Sequence, residues 1–168
     1  MPATMARILI VGCGGRGQAL ARELVADGHA VRGTTRDPRR LPEIEAAGAE
    51  PYLGDPDRIM TLMDALSATT IVAWLMGSAT GADEQVRELH GGRLRMLCVK
   101  VVDTPVRGLL YEAEGSVPFE WREQGELIAR GARATWNIPL EVLHTDPADR
   151  SGWTRDARAA VARLLGAD

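Results

Sequence analysis

Two stretches decide the reading: Ile8–Gly17, ILIVGCGGRG, and Gly33–Arg40, GTTRDPRR. The first is an apolar run, Arg7–Val11, that stops at a glycine and turns through Gly12-Cys13-Gly14-Gly15-Arg16-Gly17, a G-x-G-x-x-G spacing. A helix is expected next, from about Arg16 to Ala26, with Leu20 and Leu24 facing inward and Gly28 as its stop. The second stretch closes the next strand, Ala30–Thr34. A glycine turn of this kind gains meaning from its context, a strand before it and a helix after it. There Gly12 permits the tight turn, Gly14 admits a pyrophosphate to the backbone, and Gly17 lets helix and strand pack closely. The N–H groups at the helix start, around Gly15 and Arg16, offer donors and a partial positive charge to phosphates.

Working outward, the same rhythm continues. Asp37-Pro38 and Asp55-Pro56 both read as a cap followed by proline at the first helical position. A third strand is expected at Glu50–Leu53, and the stripe Ile59, Leu62, Met63 and Leu66 predicts a helix after it. Further strands are expected at Thr70–Leu75, Val106–Tyr111 and Leu140–His144. Helices are expected from Asp83 to His90, over Arg93–Asp103, over about Arg122–Trp136, and after Ser151. The segment RMLCVKVV could pass for a strand, but Leu94, Leu97, Cys98, Val101 and Val102 share one helical stripe. Strands alternating with helices predict an α/β fold, a doubly wound parallel sheet of about six strands in Rossmann order 3-2-1-4-5-6. Residues 1–168 read as a single dinucleotide-binding domain.

Composition narrows the function classes. An apolar fraction of 45% and a charged fraction of 26% are those of a globular chain. No apolar run approaches the roughly 20 residues of a membrane span. A net charge of −3 and the lack of aromatic residues beside Arg32–Arg40 argue against nucleic acid as a partner. Two cysteines, Cys13 and Cys98, make no disulfide framework, which suits a cytoplasmic protein. Abundant arginine beside one lysine, Lys100, suggests the coding bias of a GC-rich bacterial genome. The dinucleotide and an unidentified small-molecule substrate are the expected partners, and a homo-oligomer is left open.

The end of the second strand chooses the nucleotide. NAD(H) sites place a carboxylate there for the ribose 2′-hydroxyl, whereas a 2′-phosphate calls for arginine. Here the strand ends in Thr34-Thr35-Arg36, and Asp37 is spent on a helix cap. Arg36 can pair with a phosphate and stack on adenine, Thr35 can donate a hydroxyl, and Arg39 and Arg40 follow one turn on. This favours NADP(H) over NAD(H). Asp55 is placed either to accept from the adenine amino group or to cap a helix. Trp74 is placed either to wall the cofactor or to fill the core. Gly77 belongs to MGSATGAD, Met76–Asp83, a loop that either folds over the dinucleotide or only connects.

The run ILIVGCGGRGQALARELVADGHAVRGTTRDP, with GAEPYLGDPDRIMTLMDAL after it, resembles the atypical and extended short-chain dehydrogenase/reductase superfamily. Its NAD(P)H-binding, epimerase-like and nitrogen-metabolite-regulator-like branches match best, through TRDP after the second strand and GD after the third. The resemblance is strong over Arg7–Leu75; beyond that, DTPVRGLLYEAEGSV resembles the fifth strand and its serine turn only in outline. The resemblance implies an oxidoreductase or epimerase that uses Ser/Thr with Tyr-x-x-x-Lys. Tyrosine is the acid/base there, and lysine lowers its pKa and holds the nicotinamide ribose. The serine position falls near Ala113 or Glu114, with Ser116 slightly late; Trp121 and Gly125 stand where tyrosine and lysine should be. Tyr111 lies in the fifth strand and Lys100 on an earlier helix, so the usual set is missing. No separate substrate domain is expected after strand six. Tyr111, Glu114 and Ser116 remain as weak catalytic candidates, with Glu112 beside them at the sheet edge. Cys13 at a helix start is either a lowered-pKa redox thiol or a small residue filling a tight turn. His29, His90 and His144 have no metal-ligand spacing, so no metal site is expected.

Overall fold

The computed structural model describes residues 5–166. Six parallel strands form one sheet in the order β3-β2-β1-β4-β5-β6. They are β1 (Arg7–Val11), β2 (Ala30–Thr35), β3 (Glu50–Leu53), β4 (Ile71–Trp74), β5 (Leu109–Glu112) and β6 (Leu140–Leu143). The helices are α1 (Gly15–Ala26), α2 (Leu41–Ala46), α3 (Met63–Leu66), α4 (Asp83–Leu89), α5 (Gly92–Val101), α6 (Phe119–Trp136) and α7 (Arg150–Leu164). The chain is therefore a doubly wound Rossmann-type α/β protein.

Side chains in a strand alternate between faces, and this sheet is covered on both. Ile8 and Ile10 of β1 join Leu20 and Leu24 of α1, Ile44 of α2, and Trp153, Ala157 and Val161 of α7. Leu9 and Val11 face the other way, into a layer with Leu62, Leu66, Trp74, Leu94, Leu97 and Tyr111. Strand order reverses between β1 and β4, where Val11 and Trp74 end in register. Ligand crevices of such sheets open at the carboxyl ends of the strands at this reversal.

Four elements differ from the sequence expectation. The helix expected to start at Asp55-Pro56 does not. The Asp55 carboxylate instead accepts the Asp57 N–H at 2.9 Å, and a 3₁₀ turn, Ile59–Leu62, leads into the single turn of α3. Strand β5 begins at Leu109 and ends at Glu112, not at Tyr111, because its register with β6 carries Glu112 opposite Leu143. Helix α6 starts three residues early, at Phe119, and α7 is capped by Asp149, whose side chain accepts the Gly152 N–H.

Candidate functional site

The glycine turn forms because Gly12 adopts φ +87°, and a Cβ there would lie 2.2 Å from Met76 Cε. The turn is anchored to the end of β2: Gly12 N–H donates to Thr34 Oγ1 at 3.3 Å and Cys13 N–H to Thr34 O at 3.2 Å. Gly14 N–H closes the turn on Gly12 O at 2.9 Å. Helical bonding resumes with Gln18 N–H on Gly14 O. Among the described residues, the N–H groups of Gly15, Arg16 and Gly17 therefore have no partner within the protein. Nothing lies within 4 Å of a Cβ built on Gly14 or Gly15, so the approach to these donors is open. Unpaired amides at a helix start are the donor set that a diphosphate needs.

These donors face a cleft of about 270 Å³. Its floor is Gly12–Gly17, one wall is Thr34, Thr35, Arg36 and Arg40, and the other is Leu75, Met76 and Ser78–Thr80, with Gly54, Pro56 and Leu89 completing it. Arg36 is exposed and reaches over the cleft to Thr80 O, 3.2 Å from Nη2. Arg40 pairs with Glu43 at 2.6 Å. The Asp37 carboxylate caps the Arg39 N–H and pairs with the Arg39 side chain, which holds it below the usual carboxylate range. Thr35 Oγ1 accepts the Asp37 N–H at 3.1 Å. The end of β2 thus brings arginine to the cleft and keeps its one carboxylate engaged.

Of the residues singled out from the sequence, Gly12, Cys13, Gly14, Gly15, Arg16, Gly17, Thr35, Arg36 and Arg40 line this one cleft. The remaining candidates do not. Arg39 points to solvent with its side chain 90% exposed. Asp55 is turned back onto Asp57. Trp74 is fully buried in the core, because β4 alternation sends it away from the crevice, and its Nε1–H donates to Leu89 O at 2.9 Å. The Gly77 N–H is spent on Glu112 Oε1 at 2.8 Å. Tyr111 is fully buried, with its hydroxyl 2.6 Å from His90 Nδ1 and 3.1 Å from Arg122 O. Burial raises its pKa, and its hydroxyl is engaged within the core and does not line the cleft. Glu114 pairs with Arg122 at 3.0 Å, and Ser116 is exposed beside Ser78. Cys13 is packed under the turn, and burial pushes its thiol up to about 12, which corrects the redox-thiol reading.

Sequence reasoning underrated Glu112. Its side chain is wholly buried at the end of β5, where Oε1 accepts the Gly77 N–H at 2.8 Å and Oε2 the Trp153 Nε1–H at 2.9 Å. Arg16 Nη2 completes the set at 3.2 Å, and its guanidinium sits 5.5 Å from the Trp153 ring centre. Burial pushes the Glu112 carboxyl up, while Arg16 and the Gly77 and Trp153 donors pull it back. Arg16 Nε is buried without a partner. Beneath the same edge, His90 is fully buried with Nε2 2.9 Å from Met76 O. In the neutral ring, that places the proton on Nε2 and leaves Nδ1 an acceptor, so Nδ1 and Arg122 O compete for the single Tyr111 hydroxyl proton. Tyr111 in turn is admitted by Gly125, where a Cβ would lie 2.0 Å from its hydroxyl oxygen.

The fold, the glycine turn and its free amides define a dinucleotide-binding α/β protein. The model of the NAD(P)H-binding family matches residues 12–106, more than half of the chain, and the chain belongs to that family. A comparison with curated proteins finds no match. Among solved structures, BdcA (YjgI) from E. coli superposes with a TM-score of 0.74 at 19% identity, over 98% of this chain and 92% of its own. Triphenylmethane reductase from Citrobacter sp., complexed with NADP(H), gives 0.61 at 18% identity, over 82% of this chain and 48% of its own. UDP-glucuronic acid 4-epimerase from Bacillus cereus, in complex with NAD, gives 0.65 at 15% identity, over 81% of this chain and 55% of its own. The chain thus spans about half the length of the last two. At these identities the likeness is one of fold, and it accords with the NAD(P)H-binding family.

Proposed function

We propose that this chain binds NADP(H) in preference to NAD(H) and serves as a binding module without hydride-transfer machinery of its own. The observation that carries the reading is the row of unpartnered N–H groups at Gly15, Arg16 and Gly17, open to a cleft whose β2 wall presents Arg36 and Arg40. Diphosphate would be held by those amides. A 2′-phosphate would meet Arg36, whose guanidinium has spent one donor on Thr80 and keeps others. The nicotinamide ring, when bound, supplies a hydride donor or acceptor. The chain offers little to direct it. Its single lysine, Lys100, is on α5, and its two tyrosines are Tyr52 on β3 and the buried Tyr111. Trp121 and Gly125 occupy the Tyr-x-x-x-Lys positions on α6.

A second reading, an NADPH-dependent oxidoreductase, is favoured by the reductase and epimerase likenesses. Calorimetric titration with NADPH and NADH tests the nucleotide preference. Arg36→Ala should weaken NADPH about 10- to 100-fold, the range expected for charge-assisted bonds of about 1.5–3 kcal/mol, and leave NADH nearly unchanged. Equal losses for both would remove the 2′-phosphate assignment. Oxidation of NADPH in the presence of a carbonyl and quinone panel would favour the enzyme over the module.

A further inference from the structure

A doubly wound sheet offers two mononucleotide halves, one on each side of the β1/β4 reversal. In this chain the two halves are unequal. The first half is open: the ends of β1, β2 and β3 contribute Gly12–Gly17, Thr34–Arg36 and Gly54 to the cleft. The second half contributes the loop after β4, Leu75, Met76 and Ser78–Thr80, and Leu89 at the end of α4. Among the described residues, none of β5, β6 or the segments that follow them lines the cleft.

Three features close that second half. Arg16 leaves the glycine turn and reaches Glu112 at the end of β5, where Gly77 and Trp153 also converge, so α1, the loop after β4, β5 and α7 are tied at one point. The segment after β5 is laid directly on the loop after β4. Val117 N–H donates to Gly77 O at 3.0 Å and Ser116 N–H to Ser78 Oγ at 3.3 Å. The two backbones are so close that a Cβ on Gly77 would lie 2.0 Å from Glu114 O, and one on Gly115 2.1 Å from Gly77 O. Finally, Arg122 of α6 pins the same segment, donating to Val117 O and Ala113 O at 2.7 Å each and to Glu114 at 3.0 Å.

We infer that the cleft is a half-site. It takes the adenosine side of the ligand, a diphosphate on the glycine turn and a 2′-phosphate at Arg36, and leaves the nicotinamide ring outside the protein. The ligand class is a 2′-phosphorylated adenosine diphosphate, and binding does not distinguish the oxidised from the reduced cofactor. This inference rests on the NADP(H) reading above and narrows it.

The test compares NADP⁺, NADPH and 2′-phospho-ADP-ribose, which lacks nicotinamide, by calorimetry on the full chain. The three dissociation constants should agree within about threefold. A wider gap in favour of either nicotinamide-bearing ligand overturns the half-site while leaving the NADP(H) reading intact. Failure of all three to bind overturns both. In parallel, dihydronicotinamide emission should be the same for free NADPH and for NADPH bound at saturation. Enhanced or blue-shifted emission of the bound form shows an enclosed ring and also overturns the inference.

Discussion

Replacing Glu112 with alanine should destabilise the protein far more than a typical carboxylate substitution. The side chain is wholly buried and receives N–H donors from Gly77, Trp153 and Arg16. Removing one member of a buried ion pair costs about 3–5 kcal/mol, because the partner charge is left uncompensated. Arg16 retains 30% side-chain exposure and can turn toward water in the cleft, which pulls its share toward the low end. The Gly77 and Trp153 donors lose a buried acceptor, at about 1–3 kcal/mol each, but these losses overlap and do not simply add. A net cost of about 3–5 kcal/mol follows, a large part of the roughly 5–15 kcal/mol that holds a domain together. Glu112→Gln keeps one carbonyl acceptor and avoids the cost of burying a charge, so about 1–2 kcal/mol is expected. Urea unfolding read by tryptophan fluorescence measures both, and an unchanged m-value would establish that the native state itself is what weakened. A Glu112→Ala variant within about 1 kcal/mol of the parent would refute the idea that this carboxylate ties the four elements together.

Two further outcomes follow from the buried titratable groups. Burial, with Arg122 nearby, holds His90 below its ordinary value of 6.5, against the pull of the Met76 carbonyl. A depressed histidine contributes stability that is present above the unfolded value and lost as pH falls through the folded one. The stability of the parent relative to His90→Gln should therefore be constant above about pH 7.5 and shrink as the pH drops below about 6.5; a pH-independent difference would contradict the buried neutral imidazole. The thiols of Cys13 and Cys98 are pushed up to about 12 and about 11 by burial. Neither should be alkylated in the native protein at pH 8, and both should react once it is unfolded in urea; mass spectrometry reads the labels, and rapid native labelling of Cys13 would contradict its packing beneath the turn.

The frame of the sheet was legible because it is written locally. An apolar run ending in Gly12 marks β1 as Arg7–Val11, and β3 falls at Glu50–Leu53 as its pattern predicts. The helical stripe from Leu94 to Val101 resolves the ambiguous RMLCVKVV in favour of α5. The glycine turn was legible for the same reason, since its spacing and flanks lie within one strand–turn–helix unit. What escaped is what tertiary structure decides. Glu112 at a strand exit reads as a solvated carboxylate, since acidic residues are seldom fully buried without partners. Its partners Gly77, Trp153 and Arg16 lie 35, 41 and 96 positions away. Trp74 and Tyr111 read as cleft residues because they end or nearly end their strands. Alternation sends both to the core face instead, and His90, 21 positions from Tyr111, gives no sequence sign of pairing with it.

A bound diphosphate would rest on the N–H groups of Gly15, Arg16 and Gly17. Amide-resolved NMR during titration with NADP⁺ reads those groups one by one. Saturable shifts of the Gly14–Gly17 amides are expected, together with those of Thr35 and Arg36. Saturable binding with these signals unmoved and shifts elsewhere, or no binding at all, would contradict that placement.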